Sequence, residues 1–552
     1  MISSLHEVSF IQIGQRETEE TGYLILVKFS SIQKLGIGYD EFGQPCESPR
    51  NSTLRAAENK PITVIIFDLY TPPTFEQESH NNNVPEGVEH KGRYKTRHRI
   101  CTIDHAHANI AEYAHHLRIV LLEQDDLLHF EKICHIMQCE PRPLRVPRVN
   151  AQAMRFFSPR ELSHVQRWTK TMTDWKNAFQ IEAYLRNGLL NTHDLLVTLQ
   201  KPIDDAIEHY KDKSSEFLRL FFGFLKNRKP EEHPRDCLER FSRDNPPQTI
   251  KLPRPTPGNI SCHHVIITPS KMLLEGPYPT QSNRVIRRFQ DHDSALVERF
   301  VRVEFRDEDR LTYRWDGDVD GTWFLKERVG GALRNGFEIG GRSFELLAYS
   351  NSALRDHSVW FVSPFRDPKE GFVTAEYIRS SLGDFSELLR MPSKYAARIA
   401  QNFGATERSV KIRPDEWEEQ PDLIPEKTNE EDEVKEFTDG VGTISPELAD
   451  KIWDARCKAE KEAGRNRSEK CVKPSAYQFR FLGYKGVVVV DNRLKGIKMR
   501  LRPSQRKFNV NHVEEEDFDI VKSFEKPNKV YLNRFVAVSS LRQYLRCSPD
   551  LR

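Results

Sequence analysis

The stretch GIKMRLRPSQRKF, residues 496–508, alternates positive charge with apolar bulk. Lys498, Arg500 and Arg502 are separated by Met499 and Leu501. Side chains two residues apart share one face of a strand. One face would be cationic and the other would face a core. Arg506 and Lys507 extend the positive field beyond the turn at Pro503. Such a face suits phosphate, because Arg binds phosphate oxygens bidentately. On spacing alone an ordinary solvated strand face is the better reading, since exposed Lys and Arg are common. Lys485 stands between Tyr484 and Gly486, directly before the apolar run VVVV. A lysine at the rim of a buried strand suits preorganised charge stabilisation. It can equally be a lysine snorkelling at a strand end.

Other groups could hold metal. Asp316, Asp318, Asp320, Gly321 and Glu327 fit the EF-hand loop pattern D-x-D-x-D-G-x5-E. An EF-hand also needs an entering helix. The preceding RVEFRDEDRLTYRW reads as β, with Val303, Phe305, Leu311 and Tyr313 at alternate positions. A solvated acidic turn is the better reading. His105, His107, His115 and His116 have no acidic or cysteine partner at metal-ligand spacing, so solvated or core roles are expected. The nine cysteines include no CxxC pair; Cys134 and Cys139, with His135 between them, are the nearest two. They read as reduced thiols, mostly buried.

The elements that must position these groups follow from pattern. GYLILVKF and ITVIIFDLY are apolar and β-branched, hence strands. From Trp168 the period turns helical: Ala178, Ile181 and Leu185 share a face, with a stop at Asn187-Gly188. Thr192 is placed to cap the next helix, and Ser214 and Ser215 the one carrying Phe217, Phe221 and Leu225. HHVIITPSKMLLEGP reads as strand, turn, strand, and PSKYAARIAQNF as a short helix. Residues 414–436 are acidic and read as an exposed, flexible connection. A charged helix is expected at 446–464.

The 552 residues carry a net charge of +2, so any polyanion binding must rest on local patches. Hydrophobic residues are 38% of the chain, which argues against wholesale disorder. No apolar run approaches the roughly 20 residues of a membrane span. The first residues, MISSLHE, lack the basic and apolar regions of a secretory signal. An intracellular protein, nuclear or cytoplasmic, is expected.

Several blocks together resemble one family. IITPSKMLLEGPYPTQSNRVIRRF, GFEIGGRSFELLAYSNSALRDHSVWFV, MPSKYAARIAQNF, FTDGVGTISPELADKI, PSAYQFRFLGYKGVVVVD and MRLRPSQRKF are similar, in this order, to blocks of eukaryotic-type, RNA-silencing RNA-dependent RNA polymerases. AFQIEAYLRNGLL is a weaker match upstream. The resemblance covers residues 175–535 and has a fungal-like character. It implies an active site between two double-psi β-barrels, of which FTDGVG and the blocks after it correspond to the first. The second carries an Asp-x-Asp-Gly-Asp loop for magnesium. DGDVDG at Asp316–Gly321 precedes the first barrel and lacks that pattern.

Pattern and resemblance together lead us to expect an α+β multidomain chain, although the resemblance does not reach the first 165 residues. A unit of mixed β/α structure and unknown role spans 1–165, and a helical domain spans 166–245. A β-rich polymerase region, 246–413, and an acidic linker, 414–436, lead into a truncated first double-psi barrel, 437–552; the second, catalytic barrel is expected to be absent. The implied activity is RNA-directed RNA synthesis making double-stranded RNA for gene silencing. Its substrates would be a single-stranded RNA template and nucleoside triphosphates, silencing-pathway proteins are possible partners, and no membrane is involved. Lys485 takes a catalytic role at nucleotide phosphates. Lys498, Arg500, Arg502, Arg506 and Lys507 hold RNA or nucleotide phosphates, and Gly440 and Gly442 permit a tight turn. Magnesium is expected for the complete enzyme, with ligands outside this chain. The alternative is a catalytically inactive RNA-binding fragment or paralogue; a third reading is a calcium-regulated protein built around Asp316–Glu327.

Overall fold

The computed structural model describes residues 10–16, 21–40, 62–81, 94–113, 115–121, 125–130, 148–150, 159–229, 232–253, 258–424, 436–462, 472–510 and 514–524. Cys134, His135 and Cys139 lie outside them. Both strands expected near the N-terminus are present, as Thr21–Lys28 and Ile62–Leu69. Thr21–Lys28 belongs to a five-stranded sheet with Phe10–Arg16, Thr74–Asn81, Tyr94–Ile100 and the distant Val319–Asp320. Ile62–Leu69 lies in a four-stranded sheet. Val27, Leu35, Ile65 and Phe67 pack between the two.

Helices Pro159–Lys170, Trp175–Arg186, Gln200–Tyr210, Ser214–Leu225 and Pro234–Asp244 follow. Trp175–Arg186 begins at Asp174, whose side chain accepts from the Lys176 N–H, and ends before Gly188 at φ +70°. Two expected caps are otherwise engaged. Thr192 donates its hydroxyl to Glu161, and Ser214 donates to Asn177. In each case a tertiary partner outcompetes the local backbone N–H.

The six-stranded sheet at the centre runs Met272–Gln281, Asn259–Ile267, Phe300–Phe305, Ser358–Val362, Arg342–Ala348, Phe337–Ile339. It is buried on both faces. Val301, Val303 and Phe361 join the core of the helices, including Phe179, Tyr184 and Phe221. Phe300, Trp360 and Val362, the alternate residues, join Ile286, Phe289, Ile378, Ile399 and Phe403. The helices of 159–244 and the strands after them thus share one core. Strand pairing stops at Phe305; residues 306–315 turn instead of continuing the alternation, with Arg310 at φ +64°.

The last sheet has seven strands in the order Glu407–Ile412, Glu516–Phe524, Ala476–Phe481, Tyr484–Val490, Val441–Ile444, Met499–Leu501, Trp417–Glu419. Helix Pro446–Glu462 covers it with Leu448, Ala449 and Ile452. Of residues 414–436, expected as a flexible connection, 425–435 lie outside the described residues, and Trp417–Glu419 is instead built into this sheet, pairing in parallel with Met499–Leu501. Trp417 packs against Phe481 and Tyr484, and burying that indole offsets the acidity of its neighbours.

Candidate nucleic-acid interface

Strand Met499–Leu501 lies between Val441–Ile444 and Trp417–Glu419. Met499 and Leu501 are fully buried in the sheet's core, and Arg500 takes the opposite face. That face already has acidic company. Arg500 Nε donates to Glu418 Oε1 at 2.6 Å, and Arg506 lies 3.6 Å from Glu419. Lys498 Nζ donates to the Asp415 carbonyl at 2.6 Å, and Arg502 to that of Pro421 at 2.5 Å. The segment 415–421 therefore engages four of the five basic candidates. Lys507 differs: its ammonium donates to the nearby Ser504 carbonyl.

Lys485 sits elsewhere. The turn at Leu482-Gly483, both at positive φ, folds Tyr484–Val490 back on Ala476–Phe481 and sets Lys485 opposite Arg480. Phe479, Phe481 and Tyr484 point into the core, so Arg480 and Lys485 share the other face. Gln401, following helix Pro392–Ala400, donates to the Gly483 carbonyl at 3.4 Å and docks that helix against the turn. This brings up Arg398. Burial pushes the Lys485 ammonium below its ordinary pKa, and repulsion from Arg480, Arg398 and Lys507 pushes the same way. The arrangement gathers Lys485, Arg480, Arg398 and Lys507 into a half-buried cluster of cations, with Asp519, opposite Arg480 on the neighbouring strand, offsetting part of the Arg480 charge. Arg480 was legible in the sequence from the two-residue turn, which fixes its cross-strand partner. Arg398 had no local signal, because tertiary packing alone places it.

The two glycines have different jobs. Gly440 adopts φ +71° with open space where a Cβ would be, so it supplies a turn. Gly442 is inside strand Val441–Ile444, where a Cβ would lie 2.4 Å from the Arg500 carbonyl. Close backbone approach, not a turn, requires it. Gly486 is a second such position, where a Cβ would lie 2.3 Å from the Gly440 carbonyl. The fully buried Gln505 ties the crossing together, donating to the carbonyls of Gly440 and Val487 and accepting from the Arg502 N–H.

The carboxylates nearby do not fit magnesium. Asp491 is held by Arg493 at 2.9 and 3.0 Å, which draws its pKa to about 2. Among the described residues, only His292, Asp367 and Glu370 bring three ligand atoms within 4.8 Å of one another. There Arg288 clamps both Glu370 oxygens, and Asp367 accepts from His292 and from two backbone N–H groups. A cation would displace an arginine. Asp316, Asp318 and Glu327 do not converge with Asp320, whose oxygens meet the Thr322 N–H and His98. The four histidines also disperse: His105 is exposed beside Asn109, His107 accepts from the Ile103 N–H, His115 is half-buried beside the Arg186 carbonyl, and His116 faces Asp68.

Residues 267–538 match the family described as RNA dependent RNA polymerase. The chain is 34% identical to RNA-dependent RNA polymerase 1 of Arabidopsis thaliana, over 50% of its own length and 23% of the relative's. It is 33% identical to the probable RNA-dependent RNA polymerase SHL2 of Oryza sativa subsp. japonica, over 65% and 28%. With RNA-dependent RNA polymerase 1 of Schizosaccharomyces pombe it shares 28% identity over 61% and 25%. The chain spans less than a third of the length of these relatives. Among solved structures, the RNA dependent RNA polymerase QDE-1 from Thielavia terrestris aligns at 17% identity and a TM-score of 0.43, over 66% of this chain and 38% of that one. No helix among the described residues is long and apolar enough to cross a membrane. Through residues 267–538, which run from the end of strand Asn259–Ile267 past the basic strand, the chain belongs to the eukaryotic-type RNA-dependent RNA polymerase family.

Proposed function

We propose that this chain supplies the phosphate-binding half of an RNA-directed RNA polymerase, and that its seven-stranded last sheet is the first of two double-psi barrels. The observation that carries the reading is the placement of Lys485 opposite Arg480 on one hairpin, beside the docked helix of Arg398, with Lys507 adding its charge. Arg398 and Arg480 hold phosphate oxygens of template or nucleotide. Lys485, projecting from a rigid hairpin, neutralises charge that develops on the transferring phosphates. Bound phosphate would relieve the repulsion within the cluster, so affinity falls as pH rises through the depressed Lys485 pKa. Magnesium would activate the 3′-hydroxyl and the leaving pyrophosphate in the complete enzyme. The carboxylates of the described residues do not fit the ion, and this reading assigns its ligands to an Asp-x-Asp-Gly-Asp loop, a pattern the sequence of 1–552 does not contain. The product is double-stranded RNA for gene silencing, made inside the cell in nucleus or cytoplasm.

That same donor set favours a second reading for the chain acting alone: an RNA-binding fragment or paralogue that extends nothing. Fluorescence anisotropy with a single-stranded RNA across salt concentrations tests the interface. Lys485→Gln with Arg398→Gln should lower the log–log salt slope by about 0.7 per lost contact. An unchanged slope in the folded double variant would refute the assignment. Magnesium-dependent RNA synthesis by the 552-residue chain would refute the second reading.

A further inference from the structure

The acidic loop that matches an EF-hand leads to a different site. Strand Val319–Asp320 joins the N-terminal sheet by pairing in parallel with Arg97–His98. The registers put four residues in one row across four strands. Tyr23 is opposite Gln77, Gln77 opposite His98, and His98 opposite Asp320. Directly opposed residues point to the same side of a sheet, so the row forms a floor. The chain after Asp320 rises over it and contributes Trp323 and Lys326. Together they enclose a cleft of about 490 Å³. Small-molecule sites occupy roughly 300–1,000 Å³.

The geometry points to a ribonucleotide-binding pocket in this cleft, separate from the phosphate-binding surface of the last sheet and independent of the polymerase reading. Each part of a ribonucleotide has a counterpart. Trp323, 44% exposed, offers an indole face for a base to stack on. Tyr23 adds a second ring at the floor. Gln77 presents an amide, donor and acceptor at once, to the base edge. Asp320 has its carboxylate 42% exposed while His98 and the Thr322 N–H hold it in place, so it can accept from a ribose hydroxyl. Lys326 supplies positive charge for one phosphate. An all-cationic groove would read a polyphosphate and an all-aromatic one a cap or a peptide ring; this mixture reads base, sugar and a single phosphate. Two sources carry that chemistry: a free nucleoside monophosphate, or one residue of single-stranded RNA.

The test uses the full chain carrying Lys485→Gln, which weakens the other surface. Adenosine monophosphate, deoxyadenosine monophosphate and a short oligoadenylate are titrated against tryptophan fluorescence and calorimetry. Trp323→Ala and Asp320→Asn are compared with the parent after circular dichroism shows an unchanged fold. Trp323 is partly exposed and Asn is isosteric with Asp, so both variants should fold. The expected result is binding that falls about tenfold in Trp323→Ala, and a preference for the ribose form that Asp320→Asn abolishes. If the monophosphate shows this pattern, the ligand is a free nucleotide. If only the oligonucleotide does, the pocket holds a residue of single-stranded RNA. Binding of either probe that is indifferent to Trp323→Ala, or no binding by either, would overturn the proposal. Equal affinity for ribose and deoxyribose forms would overturn the role given to Asp320.

Discussion

Glu112 offers a sharp test of how the N-terminal segment is fastened to the family region. Its carboxylate lies 2.9 Å from Arg186 and 2.7 Å from Arg328, on two different helical segments. Burial opposes its ionisation, but Arg328 and Arg186 outweigh that and bring the pKa from the ordinary 4.5 to about 2. A folded-state pKa below the unfolded value means stability that is present above pH 4.5 and lost as pH falls toward 2. The difference corresponds to about 3 kcal/mol at neutral pH. Glu112→Gln keeps the shape and removes the charge. Arg186 is then left with Glu182 at 3.4 Å, and Arg328 with the Thr268 carbonyl. Stripping one partner from a buried pair costs about 3–5 kcal/mol, so both routes agree in size. Hydrogen exchange of the amides in Trp175–Arg186 is the assay. At pH 7 protection should drop by about two orders of magnitude in the variant. Denaturation of parent and variant should converge as pH falls from 4.5 toward 2. A variant that loses less than about 0.5 kcal/mol at pH 7, or a loss that does not shrink with acid, would refute the reasoning.

Three further outcomes follow from the last sheet and the acidic loop. Replacing Glu418 and Glu419 with Gln should free Arg500 and Arg506, tighten single-stranded RNA binding at low salt and steepen the salt slope by about 0.7 per released arginine; an unchanged slope would show that these arginines never meet phosphate. Gly442→Ala should unfold the sheet or cost several kcal/mol, because its Cβ meets backbone at 2.4 Å, whereas Gly440→Ala should cost only about 1–2 kcal/mol for its φ; thermal melts compare the two, and equal losses would contradict the close approach at Gly442. Calorimetric titration with calcium should show nothing tighter than the weak millimolar class at Asp316–Glu327, and a micromolar site abolished by Glu327→Gln would overturn this.

Periodicity made much of this architecture legible. The strand pair around Pro269-Ser270, the helix Pro392–Ala400 and the alternation of Met499 and Leu501 with Arg500 all follow from local pattern. The errors came where a tertiary partner decided. Thr192 and Ser214 read as caps, yet Glu161 and Asn177 claim their hydroxyls. The acidic 414–424 read as linker, since charge density hides a strand that is held by one tryptophan and by arginines 80 residues on. The same blindness made Arg500 look free. Its neutralising partner, Glu418, is 82 positions away, and a sequence shows cations without showing who cancels them.

The seam between the last sheet and the middle of the molecule bears on the order of folding. Arg287, on helix Arg284–His292, donates to Asp519 at 2.7 Å and to the Thr406 carbonyl and hydroxyl, in a setting sealed from water. Its carboxylate partner is 232 residues further along the chain. As the polypeptide is synthesised, the central sheet and its helices can assemble while that guanidinium still waits for its counter-charge. Strand Glu516–Phe524 must also arrive before Glu407–Ile412 and Ala476–Phe481 can be bridged. Such long loop closures are slow. Without Asp519, burying the Arg287 guanidinium would leave a charge uncompensated, at a cost of about 3–5 kcal/mol. Docking of the last sheet is thus the condition on which this side of the central core can close without that cost.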